Sequence, residues 1–176
     1  MHMLVSRIAL SLLGLVMFSV AQAATVTGQI TSSLILTSSC QVNGAGGSSG
    51  LNFGALNFGT TDSLFTQATA QVLGGGGALS ILCSSGTSPV VTVRAGTHDG
   101  QSAGGTRALA DGSGNFVPYD LYTDSGHTQL LAIDDAINLA TSTGVAQTVN
   151  IYGKALGKAG LPAGTYTDTV AVELTF

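Results

Sequence analysis

The sequence predicts an antiparallel all-β sandwich, on three observations. First, apolar residues recur at every second position in "ALSILCSS" (78–85), "PVVTVRAG" (89–96), "TVNIYGKA" (148–155) and "TYTDTVAVELTF" (165–176). That period of two places alternate side chains on opposite faces of a strand. Second, these runs are separated by clusters rich in Gly, Ser, Asp and Asn, which punctuate strands with turns. Third, the composition joins 44% hydrophobic residues to only 8% charged ones, with 25 Gly and no Trp. Such a chain can build a core and has little of the charge that keeps segments disordered. The expected scale is a single domain of about seven strands.

The chain opens with "MHMLVSRIALSLLGLVMFSVAQA". Arg7 starts it with a positive charge, Ile8 to Val20 is apolar, and Ala21-Gln22-Ala23 has the small-x-small form of a cleavage site. Residues 1–23 are expected to be a secretory signal peptide. The apolar run is shorter than the roughly 20 residues that span a bilayer. The net charge of −4 becomes more negative by one when Arg7 is removed. There is thus no basic footprint for nucleic acid.

The stretch that follows, "ATVTGQITSSLILTSSC" (24–40), alternates like a strand. Val26, Gly28 and Ile30 share one face, and Thr25, Thr27, Gln29 and Thr31 share the other. Gly28 weakens an ordinary strand. Leu34 and Leu36 continue the even face toward Cys40. Two cysteines, Cys40 and Cys83, are present. In an oxidising compartment an even pair is most simply a disulfide. Two cysteines without a C-x-x-C spacing suit neither a thioredoxin-type site nor zinc.

In the middle of the chain, "GAGGSSG" (44–50), "GGGG" (74–77), "SSGTSP" (84–89), "GTHDGQSAGG" (96–105), "ADGSGN" (110–115) and "GKAGLPAG" (157–164) are expected to be turns or loops. "DGSGN" before "FVPYDLYTD" is a hairpin connection. "LLAIDDAINLATS" (130–142) has a weak helical period, broken by Asp134-Asp135, and is expected to be loop or short strand. The final run places Tyr166, Asp168, Val170, Val172, Leu174 and Phe176 on one side. Asp168 falls on that apolar face, where a hydrogen-bonded carboxylate at the wet rim of a sheet is expected.

Catalytic constellations are thin. His98-Asp99 and His127 lie in loops, where solvated histidines are expected, and no G-x-S-x-G elbow occurs. The glycine runs lack a following GK[ST], so they are connections rather than phosphate cradles. "DGSGNF" (111–116) lacks the Gly and the closing Glu of a calcium loop, so a turn is expected. The residues suggest no enzyme, no metal site and no cofactor.

Four pieces together, "CQVN...LNFGALNFG" (40–59), "LSILCSSG" (79–86), "VPYDLYTD" (117–124) and "AGTYTDTVAVELTF" (163–176), resemble the spore coat protein U-like domain of archaic (Csu-type) chaperone–usher pilins. The resemblance covers essentially the whole mature chain, and "TVTGQI" resembles the start of a rod-forming major pilin. The resemblance implies an incomplete immunoglobulin-like β-sandwich that lacks one strand. A periplasmic chaperone lends that strand, and the next subunit's N-terminal extension later replaces it.

An outer-membrane usher would then export thin fibres, made of identical or related subunits, for adhesion and biofilm formation. The resemblance also implies a Cys40–Cys83 bridge. Applied here, it divides the chain into a donor-strand extension (24–32, presenting Val26, Gly28 and Ile30) and a pilin domain (33–176). The acceptor groove and chaperone-docking edge would carry Val170, Val172, Leu174 and Phe176. The alternatives are that 25–37 is simply the domain's own first strand, or that the protein is a secreted, non-polymerising coat or adhesin-type binding module.

Overall fold

A computed structural model describes residues 22–176. The expected signal peptide lies outside them except for its last two residues. Twelve strands are present, and no helix occurs among the described residues. They are β1 (Cys40–Val42), β2 (Ala45–Gly46), β3 (Ala55–Leu56), β4 (Gln67–Gly74), β5 (Gly77–Cys83), β6 (Val90–Gly96), β7 (Arg107–Ala110), β8 (Phe116–Tyr122), β9 (Ala136–Asn138), β10 (Gln147–Val149), β11 (Tyr152–Leu156) and β12 (Val170–Thr175). The count exceeds the seven expected because several strands are only two or three residues long. The "TVNIYGKA" run, for example, is interrupted at Asn150 and Ile151 into β10 and β11.

The strands form two antiparallel sheets. The larger follows the order β2-β1-β5-β4-β11-β8-β7, with β10 beside β5 and β3 beside β4. The smaller has the order β12-β6-β9. The alternating residues read from the sequence form the core between them. Leu79, Ile81 and Val91 are fully buried, and Val93, Val149 and Ile151 nearly so. Tyr119 and Leu121 of β8 join them. Antiparallel strands with one apolar face bury it in this way against a second layer.

Local chemistry accounts for the connections. Gly74 and Gly77 pair at the end of the β4–β5 hairpin, leaving Gly75-Gly76 as its two-residue turn. The "DGSGN" hairpin joins β7 to β8. Asp111 Oδ1 accepts from the N–H groups of Ser113 (2.7 Å) and Asn115 (3.1 Å), and Oδ2 accepts from Asn115 Nδ2 (2.7 Å). These bonds hold the Asp111 carboxyl below its ordinary range, Asn115 contributing most. The segment 130–142 is loop with one short strand, β9, and Asp134 occupies the left-handed region at φ 68°.

Cys40 and Cys83 face each other directly across the β1–β5 ladder and are joined by a disulfide. The first strand starts at this bridge. Residues 22–39 form no strand and are exposed, with Val26 and Ile30 each 95% accessible. Residues 22–35 fall in a unit separate from 36–176. β1 begins at Cys40.

Candidate assembly groove

Among the described residues, β12 is an edge strand, with β6 as its single ladder partner. Its inward side chains, Val170, Val172 and Leu174, are partly buried and pack on the core. Ala171, Glu173 and Thr175 alternate outward and are exposed. Beyond this edge lies an open groove of mixed polar and apolar lining between segment 51–65 and segment 161–172. It comprises a cavity of about 580 Å³ beside Asp168–Val172 and another of about 890 Å³ beside Leu161–Asp168.

The two cavities share Ala55, Leu56, Phe58, Leu109 and Asp168, which form a waist.

The "LNFGALNFG" segment builds one wall through a repeated device. Asn52 Oδ1 accepts from the Gly54 N–H and Asn57 Oδ1 from the Gly59 N–H, each at 2.8 Å. Both glycines have positive φ, 116° and 78°, and both turns are side-chain-closed Asx turns. Asn43 anchors the wall from the "CQVN" motif. Its Nδ2 donates to the Asn52 carbonyl (2.9 Å) and its Oδ1 accepts from the Ser80 N–H (3.0 Å).

Leu56 and Phe58 lean over Gly153. A Cβ there would come within 2.5 Å of Leu56 Cδ2 and 3.0 Å of Phe58 Cζ. Glycine at 153 thus leaves room for the wall.

A polar cluster holds the other lip. The Asp168 side chain is only 1% exposed. It accepts from the Tyr119 hydroxyl (2.7 Å), the Thr97 N–H (2.9 Å) and His98 Nδ1 (3.2 Å). The expected hydrogen-bonded carboxylate is present, but it sits inside the protein rather than at a wet rim. Three donors offset the cost of burying it.

Burial, then the bond to Asp168, pushes the Tyr119 phenol far above its ordinary range. Arg107 is fully buried below this cluster. Its Nη1 donates to the Arg94 carbonyl (2.9 Å) and lies 3.8 Å from Asp99 Oδ1.

Neither loop histidine is simply solvated. His98 is bound to Asp168. His127 lies edge-on to the rings of Tyr122 and Tyr152, with Nε2 buried. Sequence spacing missed both, because their partners are 70 residues away for His98 and in separate strands for His127.

Among the described residues, no group of three or more His, Cys, Asp or Glu is placed to hold a metal ion. The remaining residues expected at the site are spread differently. Val170 and Val172 line the smaller cavity, Leu174 packs on the core, and Phe176 is 53% exposed at the chain end. Val26, Gly28 and Ile30 lie in the unpaired N-terminal stretch.

The fold and groove define an all-β domain with a sheet edge beside an open groove. The Spore Coat Protein U domain model matches residues 26–173, and the chain belongs to that family. It is 32% identical over 173 residues to Protein U of Myxococcus xanthus, covering 92% of this chain and 91% of that protein. Among solved structures, the chain is similar to the CsuC–CsuE chaperone–tip adhesion subunit pre-assembly complex of the archaic chaperone–usher Csu pili of Acinetobacter baumannii. There the TM-score is 0.47 and the identity 20%, over 80% of this chain and 40% of that one.

Proposed function

We propose that this protein is a structural pilin that polymerises head to tail by donor-strand exchange into thin surface pili used in adhesion and biofilm formation. The observation that carries the reading is the open groove beside the edge of β12, in a chain whose N-terminal stretch alternates like a strand and pairs with no strand among the described residues. An edge strand beside exposed apolar side chains invites an added strand. The incoming strand supplies ladder hydrogen bonds and core packing together.

Residues 24–32 are the donor, with Val26, Gly28 and Ile30 toward the groove. Burying Val26 and Ile30 contributes about 1.5–3 kcal/mol each. The donor end and the groove are different surfaces, so the contact is heterologous and propagates as a filament. The partners are other pilin subunits, a periplasmic chaperone that covers the groove before assembly, and an outer-membrane usher. The destination is the cell surface, and the role requires no catalysis.

Ile30→Asp tests the reading. The free extension keeps the new carboxylate in water at little cost, whereas a filled groove buries it. Monomer recovery is expected to be unchanged and the polymer ladder on unheated gels lost. Normal ladders from this variant, with no other subunit present, would reject the donor assignment. Lowered monomer recovery would instead make the stretch part of its own domain.

A further inference from the structure

We infer that the donor segment extends past Ser32 to Leu36, so that Leu34 and Leu36 fill the larger cavity while Ser32 crosses the waist at Asp168. This rests on the donor-strand reading and specifies which residues of the extension the groove selects. The lip of the smaller cavity is formed by five consecutive residues, Asp168–Val172. With Ser32 opposite Asp168 in an antiparallel register, Ile30 stands opposite Val170 and Gly28 opposite Val172, so the donor up to Ile30 covers that cavity and no more. The cavity of about 890 Å³ beside residues 161–168 then needs another occupant.

Direction supplies it. Every ladder among the described residues is antiparallel. A strand added beside β12 in the same sense runs from the smaller cavity toward the larger, and the residues after Ile30 enter the latter.

The even face of the extension has the required order. Val26, Gly28 and Ile30 are followed by one small polar residue, Ser32, and then by Leu34 and Leu36. The groove has the same order, with two cavities separated by the buried carboxylate of Asp168, which lines both. A serine hydroxyl can donate to that carboxylate, whereas a leucine there would remove apolar surface from water only against a charge. Leu34 and Leu36 are 82% and 84% exposed, and among the described residues no ladder forms before Cys40. Only Thr37–Ser39 would then separate donor from domain, a span of at most about 10 Å, so successive subunits would lie close together.

The test compares Leu34→Asp and Leu36→Asp with Ile30→Asp, reading monomer recovery and the polymer ladder for each. All three are expected to keep monomer yield and lose the ladder. If Ile30→Asp loses the ladder while both leucine variants polymerise normally, the donor reading stands and the extension to Leu36 is overturned. If Leu34→Asp lowers monomer yield, those residues belong to their own domain and the inference fails. Normal ladders from Ile30→Asp would reject the donor reading itself. Independently, a peptide of residues 24–37 is expected to block polymerisation of the full chain at a concentration at least about tenfold lower than a peptide of 24–32. Equal potency would overturn the inference.

Discussion

The Tyr119 hydroxyl donates to Asp168 Oδ2 at 2.7 Å, tying the centre of β8 to the residue at which the two cavities of the groove meet. Removing the hydroxyl takes one of three donors from a carboxylate that is almost wholly buried. Tyr119→Phe is expected to destabilise the domain by about 1–3 kcal/mol at neutral pH, read as a lower urea midpoint. An unchanged midpoint would mean that water replaces the bond.

The same tyrosine sets an alkaline limit. Its folded pKa is raised above the unfolded value of about 10, so its contribution is complete below that pH. As pH rises further, the unfolded chain releases the phenolic proton first. Stability then falls by up to about 1.4 kcal/mol per pH unit. Urea unfolding between pH 9 and 11 should show a shallower decline for Tyr119→Phe than for the parent. Equal slopes would place the alkaline loss on other groups.

The bridge between Cys40 and Cys83 closes a loop with a sequence separation of 43. Chain-entropy reasoning gives about 4 kcal/mol for such a loop. Cys40→Ala should cost roughly 2–5 kcal/mol and lower the recovered monomer. Alkylation of the unreduced protein should label neither thiol in an intact-mass measurement.

Gly157 packs directly on the Phe65 backbone carbonyl, which has no flexible end to move aside. Gly157→Ala should destabilise the domain by about 1–3 kcal/mol or more through overpacking. Gly160→Ala is a useful contrast: it has open space around it but φ of 82°, so its cost should come from backbone strain of about 1–2 kcal/mol. Comparing the two thermal midpoints separates contact from conformation.

Phe176 is half exposed one residue beyond β12. If the chaperone docks on this edge, Phe176→Asp should reduce co-purification of the chaperone–subunit complex. The domain's own urea midpoint should move by less than about 1 kcal/mol. Undiminished recovery of the complex would place the docking edge elsewhere.

The sequence by itself determined the all-β class and most of the core. A period of two names the inward face of a strand wherever the strand lies, and Leu79, Ile81, Val91 and Val93 were legible for that reason. The turn at Gly74–Gly77 and the hairpin at 111–115 were legible too, because turn chemistry is local. Only the tertiary structure decided where the strands break, that Asp168 is buried under Tyr119, Thr97 and His98, and that the Asn43 side chain anchors the "LNFG" wall. Those facts depend on groups far apart in the chain, such as His98 and Asp168, which are 70 positions apart. The groove is likewise a tertiary feature: Asp168 and Leu56 meet at its waist from different strands and loops, and no spacing along the chain encodes that approach. Alternation in residues 24–36 showed a segment fit to be a strand, but a strand needs a neighbour to bond, and the sequence alone names none.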